Sequence, residues 1–266
     1  MINQPDVYVQ LHVAGQDVVK LVSGLDDAGW KRPTPAPGWT VAHQIAHLAA
    51  TFRMASMAMS APDRFQKFAA NLGPDFDANV DLAMSPYLKE PHAVLLDRWR
   101  DELVALDAAM AGTPPMQVVP WLVRPLPAAV LAAAGMMELV GHGQDIADAL
   151  GVHREPPPGL AHLVDFIWRT WDFGYQVRGL PTPDVELRFE VTTPSGDVLT
   201  AGPEDSPDRV TGPAVDLCLL ATRRRHRDDL SLTATGSEAD RWLDLAQAYR
   251  GPSGPGRRSG QFADAD

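Results

Sequence analysis

The stretch Pro127-Ala-Ala-Val-Leu-Ala-Ala-Ala-Gly-Met-Met-Glu138-Leu-Val-Gly-His142-Gly-Gln-Asp145-Ile-Ala-Asp-Ala-Leu150-Gly151 decides how this chain is read. A proline opens it, no further proline interrupts it, and a glycine closes it, which is the punctuation of one long helix from about Pro127 to Leu150. Leu131, Gly135, Glu138, His142, Asp145 and Ala149 fall on one stripe of that helix. If the stripe faces inward, three polar side chains are buried together and need a reason such as a metal ion. If it faces outward, it is a solvated strip, and Met136, Leu139, Val140 and Ala147 make the core. The helix is apolar on several sides, so its periodicity leaves both readings open.

Three stretches nearer the N-terminus also carry helical periodicity. They run from about Asp6 to Leu25, from Thr40 (as N-cap) to Ser60, and from Pro91 to Ala111, the last with Leu95, Leu96, Trp99, Leu103 and Leu106 as its apolar stripe. A proline-rich loop containing Pro33, Pro35 and Pro37 leads into Gly38-Trp39-Thr40. A further helix is predicted from Pro158 to Arg178. The four long helices with short or ordered connections predict a mainly α fold, an antiparallel four-helix bundle, with the first domain spanning 1–180. After Gly179 the texture changes. Val185 to Thr192 alternates apolar and polar residues as a half-buried strand does. Pro194-Ser-Gly is a turn, and Asp197 to Ala201 returns as its partner. Short strands at Arg209–Gly212 and Leu230–Thr235 and helices at Ala214–Arg224 and Ser237–Tyr249 complete a small α+β domain over 181–250. The Gly- and Pro-rich stretch 251–266 reads as a disordered tail.

A net charge of −11 over 266 residues argues against broad attraction to nucleic acid or to anionic lipid. The one basic cluster is Arg223, Arg224, Arg225, His226 and Arg227, either a solvated helix end or an anion-binding edge. No apolar run approaches the roughly 20 residues of a membrane span, and the first residues lack the basic start and apolar core of a signal peptide. Cys218 is the only cysteine and lies between Leu217 and Leu219, which predicts a buried small hydrophobe and a reducing compartment. The expected location is the cytoplasm.

Glu138 and His142 are four apart, so their side chains lie one above the other on one helix face and can grip one ion, with Asp145 placed to orient a ligand or a water. His43 and His47 repeat the spacing on the second helix, away from an expected exposed strip of Ala42, Ala46, Ala49, Arg53, Ser56 and Ser60. Three protein ligands from two helices leave a coordination position open, the pattern of a catalytic metal. The alternative is histidines hydrogen-bonded within the core.

Together, Pro37-Gly-Trp-Thr-Val-Ala-His-Gln-Ile-Ala-His47-Leu-Ala and Glu138-x-x-x-His142-x-x-Asp145-Ile resemble the mycothiol-dependent maleylpyruvate isomerase family, within the wider DinB-like metal-binding bundles. The resemblance implies a DinB-like bundle followed by a small α+β domain. It implies one divalent metal ion, held by His47, Glu138 and His142, with His43 left out of the ligand set. Zinc suits these donors best, and nickel, iron, cobalt and manganese share them. It implies mycothiol as thiol cosubstrate, a small electrophilic or unsaturated acid as substrate, and an isomerase or S-transferase reaction. Relatives carry a Leu-Thr-Gly-Arg-like turn whose arginine reaches toward substrate; here the stretch is Leu220-Ala-Thr-Arg-Arg-Arg, which makes Arg224 the nearest equivalent and Arg223 the alternative. A metal-dependent hydrolase and a non-catalytic metal or small-molecule binding protein are the competing functions.

Overall fold

The computed structural model describes residues 6–262. The chain divides into two compact units, Met1–Val152 and His153–Asp266.

In the first unit, α1 (Val7–Val22) begins at Asp6, whose carboxylate accepts the Tyr8 amide. A single turn, α2 (Asp27–Trp30), leads to the proline loop and then to α3 (Val41–Ser60), capped by Thr40 as its sequence indicates. Next come α4 (Pro62–Ala69), α5 (Phe76–Leu88) and α6 (His92–Ala111). A two-stranded ribbon, β1 (Val118–Val119) with β2 (Leu126–Pro127), delivers the chain to α7 (Ala128–Leu150). Gly151, at φ 66°, ends α7 in the left-handed conformation that glycine adopts at least cost. The four long helices are the four expected. Helix α3 packs on α6 and α7, and α1 packs on α7 and α6, closing a four-helix bundle.

Two expectations fail here. Helices α4 and α5 were not marked by periodicity: in α5 Phe76 and Leu82 are exposed while Met84 and Tyr87 are buried, and Pro86 interrupts the pattern. Both helices pack on α3. The strip of α3 expected to be exposed is largely buried, with Ala42, Ala46 and Ala49 inside and only its Arg53 and Ser60 in water. Alanines there mark close approach between helices, not solvent.

The second unit begins at His153, not at 181. The expected Pro158–Arg178 helix is broken into α8 (Leu160–Arg169) and α9 (Phe173–Gln176) at Thr170, whose hydroxyl bonds back to the Phe166 carbonyl. Helix α8 packs against the sheet and helix of the C-terminal part, which moves the boundary upstream. Strands β3 (Arg188–Thr192), β4 (Val198–Ala201), β5 (Arg209–Pro213) and β6 (Thr233–Thr235) form one sheet in the order β4-β3-β5-β6, with β3 and β5 parallel and the outer pairs antiparallel. Leu187, Phe189 and Val191 alternate inward as the period-two pattern predicts, and Glu190 on the other face pairs with Arg188 and Arg209. Helices α10 (Ala214–Ala221) and α11 (Ser237–Leu245) cover the sheet, with Trp242 packed on Phe189 at 5.0 Å between rings. The described part of the expected tail is packed onto this unit. Gln247 donates to the Gly251 carbonyl, the Gly260 amide bonds Asp229, and Arg225 lies over the Phe262 ring. The rest of that stretch, 263–266, lies outside the described residues. No helix of the described residues is long and apolar enough to cross a membrane.

Candidate metal centre

The α7 stripe faces inward, toward α3. His47, Glu138 and His142 each offer one ligand atom, and those atoms lie within 4.8 Å of one another. Among the described residues this is the only such group of His, Cys, Asp and Glu. His142 Nε2 is 3.0 Å and His47 Nε2 3.5 Å from the same Glu138 oxygen, and the two imidazoles are 4.5 Å apart between ring centres. Burial alone would raise the Glu138 carboxyl, but the hydrogen bonds and charge of His142 and His47 outweigh it and hold it well below the usual carboxylate range.

A hydrogen-bond chain fixes which atom of His142 faces Glu138. Gln44, fully buried, presents its amide nitrogen to Thr34 Oγ1 at 2.8 Å and to Asp145 Oδ2 at 3.4 Å. A carboxylate oxygen only accepts, so the nitrogen end belongs there and the Gln44 carbonyl oxygen points the other way. That oxygen lies 2.5 Å from His142 Nδ1, which must then carry the proton. The lone pair of a neutral His142 is left on Nε2, facing the Glu138 oxygen. With Nε2 unprotonated, two acceptors face each other and a cation between them would satisfy both; a charged His142 would instead donate from Nε2 to Glu138. Donor spacings of 3.0 and 3.5 Å match ligands held about 2.0–2.1 Å from one ion, which at the tetrahedral angle sit roughly 3.3 Å apart. Two imidazoles and one carboxylate thus fit a divalent ion of the zinc type.

The proline loop builds the rest of the site. Gly38 takes φ 78°, Trp39 N bonds the Ala36 carbonyl, Thr34 N bonds the Trp39 carbonyl, and Pro33 bridges Thr40. This turn lays the Trp39 indole over the donors, 5.3 Å from the His47 ring and stacked at 5.8 Å on His142. His43 turns away from the trio. Its Nδ1 accepts the Thr40 amide at 3.3 Å and lies 2.8 Å from the Thr40 hydroxyl, capping α3.

The structure therefore brings together the three residues singled out in the sequence, leaves out His43, and puts Asp145, fully buried, behind Gln44. Sequence reasoning missed Gln44 and gave Trp39 no role beyond its motif. The signal for Gln44 was its position three residues before His47, on nearly the same helix face. Arg224 belongs to the second unit, just past α10, where its guanidinium donates to the Thr222 carbonyl. Arg223 beside it takes φ 60°, the one left-handed non-glycine among the described residues. Cys218 is buried, as expected, and burial with the nearby Asp216 charge pushes its thiol up to about 12.

Three comparisons place this arrangement among known proteins. The model of the mycothiol maleylpyruvate isomerase N-terminal domain matches residues 11–147, a span that contains the whole trio. Two uncharacterized proteins of Mycobacterium tuberculosis, one from strain CDC 1551 / Oshkosh and one from strain ATCC 25618 / H37Rv, are each 38% identical over 247 residues, covering 93% of this chain and 96% of theirs. Two crystal structures of the mycothiol-dependent maleylpyruvate isomerase share the fold. The histidine-to-alanine mutant has TM-score 0.57 at 18% identity, the other 0.54 at 17%, and each match covers 86% of this chain and 91% of the other. With half of its length under that model and the remainder accounted for by full-length relatives, the chain belongs to the mycothiol maleylpyruvate isomerase family.

Proposed function

We propose that the protein is a divalent-metal-dependent enzyme that uses mycothiol as thiol cosubstrate, either to isomerise a small unsaturated acid or, as an S-transferase, to form a thioether with a small electrophilic one. The observation that carries this reading is the trio of His47, Glu138 and His142, whose ligand atoms lie within 4.8 Å of one another. A divalent ion there, zinc by the donor set, supplies a Lewis acid that makes a thiol of free pKa near 8.5 acidic enough to act at neutral pH. Glu138 brings the single negative charge, and the two imidazoles remain neutral donors. Gln44 holds the His142 ring in the tautomer that presents Nε2. Trp39 walls one side of the donors and limits water there. Arg224 is the residue we assign to the substrate carboxylate, which a guanidinium fork matches in shape and charge.

The test is elemental analysis of untagged protein beside a His47→Ala/His142→Ala double variant, followed by turnover of maleylpyruvate and related conjugated acids with and without mycothiol. The expected result is about one equivalent of metal in wild type, little in the variant, and turnover that requires the thiol. Arg224→Ala should raise KM for anionic substrates several-fold with metal content unchanged. Turnover without thiol would establish a hydrolase instead. A wild type that holds no metal and takes up neither zinc, nickel nor iron(II) would sink the proposal.

A further inference from the structure

Thr51 stands one helical turn beyond His47 on α3, so its side chain continues the face that carries that donor. A hydroxyl on a helix ordinarily bonds back to the carbonyl four residues earlier. Ser60 of the same helix does so at 2.7 Å, and Thr113, Thr170 and Thr222 do so at the ends of other helices, at 2.8, 2.8 and 2.7 Å. Thr51 departs from this habit. Among the described residues its hydroxyl is directed at His47 Nε2, 3.5 Å away. The same nitrogen faces the Glu138 carboxylate, also at 3.5 Å.

A neutral ring nitrogen carries one lone pair or one proton, so it serves one strong partner at a time. Once His47 Nε2 gives its lone pair to an ion, the Thr51 hydroxyl has nothing on that ring to donate to. Little is lost by this, because 3.5 Å is already the outer edge of a hydrogen bond. The O–H is then left beside the donors with its proton available to whatever group joins them.

The surroundings leave room for such a group on the Thr51 side. Helices α3 and α7 run antiparallel across the trio: Gln44 meets His142 and Asp145, His47 meets Glu138, and a Cβ on Gly135 would lie 3.7 Å from the Phe52 ring. Thr51, four residues after His47, and Ala134, four before Glu138, therefore extend the two donor faces in one direction. Both are partly accessible, and Ala134 presents only a methyl group. At the other end of the trio the Trp39 ring lies against His43 and His47. The donors are thus flanked by an indole at one end and a hydroxyl at the other.

We propose that Thr51 is a positioning residue for the thiol cosubstrate, its hydroxyl donating a hydrogen bond to the sulfur that reaches the trio of His47, Glu138 and His142. The inference rests on the metal- and thiol-dependent reading above and deepens it. Thr51 takes no proton; it holds the sulfur in place. An anionic sulfur accepts such a bond well and a thioether accepts it weakly, so the contact favours the cosubstrate over an S-alkylated product.

The experiment uses full-length protein loaded with cobalt(II), which gives a near-ultraviolet charge-transfer band when sulfur binds it. Mycothiol is titrated into wild type, into Thr51→Val, which keeps the shape and loses the hydroxyl, and into Thr51→Ser, which restores it. Cobalt affinity is measured separately, by chelator competition without thiol. Thr51→Val should weaken mycothiol binding about tenfold, the worth of one hydrogen bond to a charged acceptor, and Thr51→Ser should recover it to within about threefold. Cobalt affinity should be equal in all three. Mycothiol binding unchanged in Thr51→Val, or a loss that Thr51→Ser does not recover, would overturn the inference and leave the metal and thiol reading standing. A matching loss of cobalt affinity in Thr51→Val would also overturn it, by showing that the hydroxyl acts on His47 instead. A wild type that takes up no cobalt, or takes it up and gives no band with mycothiol, would overturn both.

Discussion

Gln44 does at the residue scale what a carboxylate does behind many metal-ligating histidines, with no charge of its own. Its carbonyl accepts a hydrogen bond from His142 Nδ1, and its amide nitrogen donates to Thr34 and Asp145. Gln44→Leu keeps bulk and burial but removes both roles. It should lower metal affinity by about 10–100-fold, measured by competition with a chromophoric chelator, with the helical circular dichroism unchanged. Unaltered affinity would show that the His142 tautomer is set elsewhere. Cys218 gives a second prediction, in pH. Unfolded, the thiol ionises near 9.0; folded, it does so only near 12. The unfolded chain loses its proton first, so this group's contribution to stability is full below pH 9 and falls as pH rises toward 12. Between pH 8 and 10.5 wild type should lose roughly 2 kcal/mol more than Cys218→Ala, at about 1.4 kcal/mol per unit of pH, in urea unfolding. Parallel losses would refute it. The pairing of Glu138 with His142 was legible at this scale because i,i+4 spacing is a property of one helix, while His47 entered through the resemblance of its motif. Gln44 and Trp39 were not, because their partnerships exist only after the proline loop has turned back across the start of α3.

At the scale of elements, α3 is the strut to which the rest of the first unit is fastened. It packs on α4, α5, α6 and α7, so it has no wide solvent face. The alanine strip looked exposed because small, weakly hydrophobic residues satisfy a surface pattern as well as a tight interior one. Which of the two applies depends on the neighbouring helices: Ser56 of the same strip donates to the Ala105 carbonyl of α6, and α5, whose own periodicity is blurred by exposed Phe76 and Leu82 and by Pro86, also packs on α3. The strand alternation of β3 and the glycine stop of α7 were legible because one side of each is unambiguous. The break between α8 and α9 was not, since Thr170 competes locally for a helical carbonyl without any proline or glycine to announce it. Ala49 distinguishes the two readings of α3. It is fully buried, and Ala49→Leu should destabilise by about 1–3 kcal/mol through overpacking, read from urea midpoints. An exposed position would tolerate the change within roughly 0.5 kcal/mol.

For the whole molecule, the division at Val152/His153 assigns His47, Glu138 and His142 to one unit and the arginine cluster to the other. Damage to one should then leave the other standing. Gly174 supplies the test, because a Cβ there would meet the Leu245 carbonyl oxygen at 2.0 Å, a backbone contact that cannot swing aside. Gly174→Ala should cost the second unit about 3 kcal/mol and lower its melting transition by on the order of 10 °C, while the first unit's transition is retained. A single transition that moves as a whole would show that the two units unfold together. The indole laid over the donors has a consequence of another kind. Trp39 is one of seven tryptophans, and it lies within about a ring's width of both histidines. A cobalt or nickel ion gripped there would drain its excited state, dimming a definite fraction of the emission, so the protein carries its own optical gauge of loading. Trp39→Phe would silence the gauge without emptying the site.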